Sequence, residues 1–239
     1  MSGSKSVVDR NSTVQAIANY IRDHQLNAGD ALPSEAALCE LLNVSRSSVR
    51  EAIRTLASLD IVETRHGHGS YVGKMSLAPL VNGLVLRMTL HEGQALENLS
   101  HVVAMRETLD LANAAELTAK LKGQDLRELE DVVAEMRDLH AAGESFAIPD
   151  YQFHYLLSTY VSNPLMQEFS LALWEIHTSV VPALGLGAPE DMEDTVRAHA
   201  LMLDALKAGD EQRYRELITE HYAPLRNVIA AKRAGEPDD

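Results

Sequence analysis

In the first 75 residues, apolar and polar positions alternate with two different periodicities, one helical and one typical of strands. Helical spacing of apolar residues predicts a helix over 12–24, followed by two short helices that begin behind the capping residues Ser34 and Ser45. Residues 61–72 then change to a strand, a glycine-rich turn and a second strand. Three helices followed by a hairpin indicate an N-terminal winged helix-turn-helix.

Nearly all of the chain after residue 75 has helical periodicity. Apolar residues recur at spacings of three and four over 77–90, 97–121, 125–141, 150–161, 164–181, 192–208 and 211–233. No repeat of fixed period is visible, so we expect an all-α antiparallel bundle of six to seven helices. The sequence thus predicts a mainly α protein with two domains, 1–75 and 76–234, and a disordered tail at 235–239.

Composition places this protein among soluble cytoplasmic proteins. A single cysteine, Cys39, excludes an intramolecular disulfide framework and is typical of a reducing compartment. The N-terminus has no apolar stretch resembling a signal peptide. The most apolar segment, 77–86, is too short to span a bilayer and is interrupted by proline and glycine.

A net charge of −14 is unusual for a protein that binds nucleic acid, but the charge is unevenly distributed. Residues 1–75 contain eight basic and eight acidic residues, whereas the other 13 basic and 27 acidic residues follow residue 75. Phosphate affinity depends on where cations lie rather than on their sum. Any DNA contact is therefore expected from the neutral N-terminal part.

The third predicted helix carries the side chains of a DNA reader. Arg46 and Arg50 are four residues apart and project from one face of its first turns, the part of a recognition helix that enters the major groove. An isolated arginine pair is more often a solvated surface charge, but the capped helix before it and the hairpin after it favour base reading. The further candidates for DNA contact are Ser34, Ser45, Ser47, Ser48, Arg65, His66, Gly67 and Gly69.

The run GDALPSEAALCELLNVSRSSVREAIRTLASLDIVETRHGHGSYV resembles the DNA-binding domain of the GntR family of bacterial regulators. The matching blocks are Gly29-Asp30, Leu32-Pro33-Ser34-Glu35, Val44-Ser45-Arg46, Val49-Arg50-Glu51-Ala52 and the wing glycines Gly67 and Gly69. The resemblance implies that Arg46, Arg50 and the wing residues His66 and Gly67 contact DNA. Ala36 departs from the family, which commonly has an arginine there that is thought to touch DNA, so the operator sequence is open.

Four polar residues on the C-terminal helices form a candidate metal site. Asp150 and His154 lie four residues apart on one helix, while His199 and His221 belong to two later helices. One carboxylate and three imidazoles suit a borderline divalent ion such as Zn²⁺, Ni²⁺ or Mn²⁺. Spacing alone does not establish that they converge, because ten histidines make a chance Asp-x3-His pair unremarkable.

The same region is similar to the FCD effector domain that accompanies GntR modules in the FadR subfamily. The resemblance rests on DYQFH at 150–154, SNPL at 162–165, His199 with the following LDALKAGD, and His221. It implies that Asp150, His154, His199 and His221 hold one divalent metal ion. It also implies that Arg106 reaches the effector cavity, where arginine and metal would clamp a small carboxylate; on an isolated helix this arginine would instead pair with Glu107 or Asp110.

Asn163 is a further candidate for effector binding, although its position before Pro164 also suits a helix cap. Together these features predict a homodimeric repressor, without enzymatic activity, whose affinity for double-stranded operator DNA is set by an organic acid. Three alternatives remain open: a metal-free regulator that responds to acyl-CoA, a metal-dependent hydrolase, and a metal that serves only stability.

Overall fold

The chain divides at Pro79 into two units, Met1–Pro79 and Leu80–Asp239, in the computed structural model. The structure describes residues 5–90, 92–186 and 192–235. The predicted domain boundary after residue 75 lies just before this division. Most of the predicted disordered tail, 236–239, lies outside the described residues, and Gly235 is the last residue of the final helix.

The N-terminal unit is a winged helix-turn-helix, as predicted. Its elements are α1 (Lys5–Asp23), α2 (Glu35–Leu42), α3 (Arg46–Ser58), β1 (Val62–Arg65) and β2 (Gly69–Val72). The two strands are antiparallel, with Val62 opposite Val72 and Arg65 opposite Gly69. The predicted start of α1 at residue 12 was wrong, since the helix begins at Lys5.

The caps of α2 and α3 have the predicted chemistry. Ser34 accepts a hydrogen bond from the backbone of Ala37, and Ser45 accepts one from the backbone of Ser48. Asn43 ends α2 in the left-handed conformation, with φ at 52°, which asparagine tolerates better than most residues. These caps fix the tight turn between α2 and α3.

One core holds this unit together. Ile17 of α1, Leu38 of α2, and Val49 and Leu56 of α3 are all at most 1% exposed, and Val62 of β1 packs against the same cluster. The apolar stripe of each helix therefore faces inward, which leaves the opposite face of α3 in contact with solvent.

Gly73 marks a close backbone approach behind the wing. A Cβ atom at this position would lie 2.3 Å from the carbonyl oxygen of Asp60. The Asp60 carboxylate in turn accepts hydrogen bonds from the backbone and hydroxyl of Ser76, which lower its pKa. Only glycine fits this contact without displacing the backbone.

The C-terminal unit is the predicted all-α bundle, with seven helices among its described residues. They are α4 (Ala78–Leu90), α5 (Glu92–Leu121), α6 (Arg127–Ala141), α7 (Ala147–Thr159), α8 (Pro164–Ala183), α9 (Met192–Ala208) and α10 (Glu211–Gly235). The structure extends α5 and α7 towards their N-termini relative to the prediction. Pro149 lies in the first turn of α7, where its missing N–H costs no helical hydrogen bond.

Helices α5 and α10 form the centre of the bundle. They pack on each other, and α9 packs on both; α8 packs on α5 and α7, and α6 packs on α7 and α9. The inner faces are closed by large buried side chains such as Leu99, Phe153, Ile176 and Leu206. Since α7, α8, α9 and α10 surround the same interior, polar residues on their inward faces are brought together.

Among the described residues, no helix combines the length and the apolar character that a membrane span requires.

Candidate functional site

The N-terminus of α3 presents a cluster of hydroxyl groups. The hydroxyl of Ser45 lies 2.8 Å from that of Ser47 and 2.9 Å from that of Ser48. All three are at the helix N-terminus, where the helix dipole and free backbone N–H groups favour an anion. Their position suits contacts with DNA phosphates, as the sequence suggested.

The two predicted base-reading arginines differ in their surroundings. Arg46 is exposed, and no ion pair to it is found within the described residues. The Nε atom of Arg50 lies 2.7 Å from a carboxylate oxygen of Glu35 on α2, with both side chains largely exposed. Because an exposed pair contributes at most about 1 kcal/mol, a DNA base or phosphate can replace Glu35.

The arginine of the wing, Arg65, has more contacts within the protein than Arg46 or Arg50. Arg65 makes two hydrogen bonds of 3.0 Å to the carboxylate of Glu63, and its guanidinium lies 4.2 Å from the ring centre of Tyr71. His66 is exposed at the turn and directly precedes Gly67, which has positive φ, as does Gly69. The wing tip is therefore free for DNA contact, whereas Arg65 must first leave Glu63.

The structure brings together all four predicted metal ligands. Asp150 and His154 come from α7, His199 from α9 and His221 from α10. One ring nitrogen of each histidine lies within 4.8 Å of the corresponding atoms of the other two. An oxygen of Asp150 is 3.1 Å from Nε2 of His199 and 3.8 Å from Nε2 of His154.

The histidines of this cluster leave buried nitrogens without partners. Nε2 of His154, Nε2 of His199 and Nδ1 of His221 are buried and have no hydrogen-bond partner among the described residues. Nε2 of His199 is near Asp150, but the alignment is not that of a hydrogen bond. Buried polar atoms without partners are costly, so this arrangement calls for an additional group.

A hydrogen bond to the backbone sets the position of one proton on His199. Its Nδ1 lies 2.9 Å from the backbone carbonyl oxygen of Thr195, which can only accept, so Nδ1 carries the proton. Nε2, on the Asp150 side of the ring, is then the nitrogen that could bind a metal ion. Such a bond from the far nitrogen is the usual means by which proteins orient a metal-binding imidazole.

The electrostatics of the cluster also suit a cation. Burial lowers the pKa of His154 to about 3, and burial followed by repulsion from His199 and His154 places the pKa of His221 well below its usual value. Burial alone would raise the pKa of Asp150, but the surrounding imidazoles outweigh it and hold the pKa well below the usual range. The unprotonated imidazoles of His154 and His221 beside an ionised carboxylate provide donors that fit Zn²⁺ or a similar ion.

Trp174 of α8 completes the surroundings of Asp150. Its indole N–H donates a hydrogen bond of 3.1 Å to the second carboxylate oxygen, Oδ2. One oxygen of Asp150 is thus held by the indole while the other faces the histidines. Trp174 is the single tryptophan of the chain, and the sequence analysis did not identify it.

Arg106 of α5 lies beside this cluster and is only 5% exposed. Its Nη1 donates to Nδ1 of His177 at 2.5 Å, and its guanidinium lies 5.3 Å from the ring centre of Tyr222. Burial, followed by the charge of Arg106, lowers the pKa of His177 to about 3, so this imidazole is neutral.

The two carboxylates near Arg106 in sequence, Glu107 and Asp110, have other partners. Glu107 pairs with Arg226, and Asp110 accepts a hydrogen bond of 2.6 Å from the hydroxyl of Tyr222. Burial, only partly opposed by that hydrogen bond, raises the pKa of Asp110. Arg106 therefore faces inward with a histidine as its hydrogen-bond partner and keeps donors for an anion.

A cavity of about 560 Å³ opens beside these groups. Arg106, Asp150, Trp174, His177 and His221 all line it. Its volume is within the range of about 300–1,000 Å³ that is common for small-molecule sites. Two of the candidate metal ligands, Asp150 and His221, and the buried arginine thus border one space large enough for a ligand.

The prediction that Asn163 contacts an effector is not supported by its position. Its side chain accepts hydrogen bonds from the backbone of Leu165 and Met166, at 3.0 and 3.4 Å, and so caps α8. It is exposed and does not line the cavity. The competing interpretation as a helix cap accounts for this residue.

Sequence reasoning missed two residues of the site. His177 was grouped with histidines expected at the surface or in a satisfied core, and Trp174 was not considered. The signal in the sequence was slight: the two residues are three apart and share one face of α8 with the cavity-lining residues at 178 and 181. Only the packing of α8 against α5 and α7 places these two side chains at the cavity.

Two family models match the chain. The FCD domain matches residues 101–224, which is more than half of the chain, and the model of bacterial regulatory proteins of the gntR family matches residues 10–72. The first match contains Arg106 and all four candidate metal ligands, and the second contains the whole predicted DNA-binding face.

Individual relatives cover most of the chain. The galactonate operon transcriptional repressor of Escherichia coli (strain K12) is 26% identical over 182 residues, which span 76% of this chain and 80% of that protein. The HTH-type transcriptional regulator LutR of Bacillus subtilis (strain 168) is 25% identical over 214 residues, or 88% and 96% of the two chains. These relatives are transcription regulators rather than enzymes.

The solved structure of Streptococcus agalactiae GntR is similar over both units. It is 26% identical, with a TM-score of 0.64 over 91% of this chain and 99% of that one. The order of the elements and the relatives therefore agree. This chain is a member of the GntR family of bacterial transcription regulators, with an N-terminal GntR helix-turn-helix domain and a C-terminal FCD domain.

Proposed function

We propose that this regulator is a repressor that releases operator DNA when a small carboxylate binds beside a divalent metal ion in the C-terminal unit. The observation that carries the proposal is the cavity lined by Arg106 together with Asp150 and His221, which belong to the same cluster as His154 and His199. A buried arginine that has no ion pair to a carboxylate among the described residues, next to nitrogens that need a cation, favours an anionic ligand.

Asp150, His154, His199 and His221 would hold the ion, with Zn²⁺ the first choice and Ni²⁺ or Mn²⁺ as alternatives. The bound ion would supply a positive charge that anchors a carboxylate. Trp174 keeps Asp150 in place, and the carbonyl of Thr195 orients His199. This arrangement supports a role in ligand binding beyond stability alone.

Arg106 would provide the second contact with the carboxylate. The neutral ring of His177 accepts one of its N–H groups and fixes the guanidinium without cancelling its charge. A planar guanidinium can donate two parallel hydrogen bonds to a carboxylate, so its orientation determines which acids fit. Exclusion of water from this largely buried position strengthens the ion pair.

DNA binding would use two copies of the chain. A homodimer would place the N-terminus of α3 from each protomer in successive major grooves of a palindromic operator. Arg46 is free for guanine, and Arg50 becomes available when DNA replaces Glu35. The E. coli relative is named a repressor, and this supports the same direction of control here.

Release of DNA requires that the effector binds one state of the dimer more tightly than the other. The segment from Val72 to Leu90 connects the wing to the C-terminal unit and contains α4. We assign the coupling to this segment, because a change in the bundle can reach the wing covalently only through it.

The experiment uses the full chain loaded with Zn²⁺ and the DNA upstream of its own gene. Fluorescence anisotropy would follow DNA release while organic acids are added, starting with galactonate because one relative controls a galactonate operon. At least one acid should weaken binding by 5-fold or more, within the usual range of allosteric coupling of roughly 5–150-fold. Arg106→Gln should lose this response, whereas the exposed control Arg197→Gln should keep it.

Two results would overturn the proposal. If no acid in a broad panel, acyl-CoA thioesters included, alters DNA affinity, the C-terminal unit does not sense such ligands. If an acyl-CoA acts while free acids and added metal have no effect, the regulator belongs to the metal-free alternative.

A further inference from the structure

We infer that the effector of this cavity is a carboxylate with an apolar body, such as a short alkyl or aryl acid, rather than a polyhydroxylated acid. The inference rests on the proposed function and specifies its ligand class. It comes from the lining of the 560 Å³ cavity beyond the carboxylate-binding end.

Polar and apolar positions are separated along two of the helices that line the cavity. On α8, Val181 follows His177 by four residues, and on α10, Leu225 and Val228 follow His221 by four and seven. At 1.5 Å per residue these apolar side chains lie about 6 to 10 Å along the helices from the polar ones. The cavity therefore has a polar end beside the metal ligands and an apolar end one to two turns away.

Further apolar side chains belong to the same lining. Phe146, before α7, and Leu186, after α8, are 4% and 6% exposed. Pro182 and Pro224 add two rings without hydrogen-bond donors. A hydrocarbon body placed here would exchange water for apolar contacts, which is the principal source of affinity in such sites.

Three polar side chains of the lining already donate hydrogen bonds within the protein. The hydroxyl of Thr178 donates to the backbone of Trp174, the indole of Trp174 donates to Asp150, and the hydroxyl of Tyr222 donates to Asp110. A ligand with many hydroxyl groups would lose its water and find few free partners in exchange. Each buried hydroxyl left unpaired weakens binding considerably.

The cavity is also larger than the smallest acids need. A two-carbon acid would fill only the polar end, between Arg106 and the metal ligands, and would leave the apolar end hydrated. Affinity should therefore grow with each methylene group until the apolar end is full. Burial of one methylene group corresponds to an increase of roughly fourfold in affinity.

The test measures binding of two ligand series to the Zn²⁺-loaded full chain by calorimetry, with fluorescence of Trp174 as a second signal. The first series is acetate, butanoate, hexanoate and phenylacetate, and the second is glycolate, gluconate and galactonate. We expect affinity to rise along the alkyl series by roughly fourfold per methylene. Phenylacetate should bind at least tenfold more tightly than galactonate.

A variant tests whether the dependence of affinity on chain length arises at the apolar end of the cavity. Leu225→Gln should flatten the dependence on chain length, because a polar side chain then faces the hydrocarbon. Leu201→Gln is the matched control on α9, at an exposed position that does not line this cavity, and it should retain the full dependence. Thermal melting of both variants would verify that they fold.

The outcomes separate this inference from the proposed function. If galactonate or gluconate binds more tightly than the alkyl and aryl acids and releases DNA, the inference is wrong and the proposed function stands. If affinity does not depend on chain length, only the carboxylate is recognised and the inference is again wrong. If no acid of either series binds, both the inference and carboxylate sensing are overturned.

Discussion

Nε2 of His199 lies 3.1 Å from an oxygen of Asp150, while the proton of the same ring is held by the carbonyl of Thr195 on the other side. Nε2 is buried beside the carboxylate without a hydrogen bond, and a metal ion shared by the two atoms would relieve this. This relationship provides the basis for the first two predictions.

Removal of divalent metal should lower the thermal stability of the full chain, because an ion bound only by the folded state stabilises it. At a free concentration 100 times the dissociation constant the effect is about 2.7 kcal/mol. Calorimetry before and after dialysis against a chelator, with metal content measured by mass spectrometry, would check this. His199→Ala should melt at one temperature with or without metal, while the exposed control His101→Ala should behave as wild type. A metal-free wild type that melts no lower than the loaded protein would contradict the prediction.

Trp174→Phe should weaken metal binding by roughly 10- to 100-fold, the usual effect of losing a hydrogen bond that orients a ligand. The indole N–H holds Oδ2 of Asp150, and phenylalanine keeps the apolar contact but not the donor. Competition with a coloured chelator would measure the affinity. Tyr155→Phe, an exposed aromatic change on α7, is the control. Equal affinity of Trp174→Phe and wild type would show that Asp150 needs no such support.

His177→Gln should reduce the acid sensitivity of the metal-free protein. The pKa of His177 is lowered to about 3 in the folded chain, against an ordinary value near 6.5, so only the unfolded chain binds this proton between those values. Wild-type stability should therefore fall as pH decreases below about 6.5, by up to about 1.4 kcal/mol per pH unit from this residue.

Glutamine can still accept the hydrogen bond from Arg106 but does not titrate. Urea unfolding at pH 7, 6 and 5 would compare the two proteins. The variant should lose less stability than wild type on acidification, and parallel pH profiles would argue against a depressed pKa at His177.

Arg46→Ala should weaken operator binding by roughly 5- to 150-fold, the range expected when one bidentate guanine contact is lost. Arg46 is exposed near the N-terminus of α3. Arg54→Ala removes another exposed charge from the later part of the same helix, and we expect it to weaken operator binding much less. Anisotropy at fixed salt would compare the two. Equal losses for both variants would indicate a general charge effect in place of base reading.

Gly73→Ala should destabilise the N-terminal unit by about 1–3 kcal/mol, because the new Cβ would meet the backbone of Asp60 at 2.3 Å. Gly83→Ala is the matched control within α4, where nothing lies within 4 Å and alanine is the better helix former. Chemical unfolding of the full chain should show a loss for the first variant and a small gain for the second. A neutral Gly73→Ala would mean that the turn behind the wing can shift freely.

The sequence alone determined the fold class and much of the DNA-binding module. Local signals sufficed there, since Ser34 and Ser45 cap helices through bonds within a few residues. The seven C-terminal helices followed from periodicity in the same way. Helix ends were less certain: α1 begins at Lys5, before the predicted start, and α7 accommodates Pro149 in its first turn.

Tertiary structure decided which polar residues meet. Spacing placed Asp150 and His154 on one face, but their meeting with His199 and His221 depends on how α7, α9 and α10 pack, which no local pattern contains. The same packing turned His177 towards Arg106 and left Asn163 as a helix cap. Local hydrogen bonds and periodicity therefore fixed the elements, whereas the convergence of side chains from distant segments determined the candidate site.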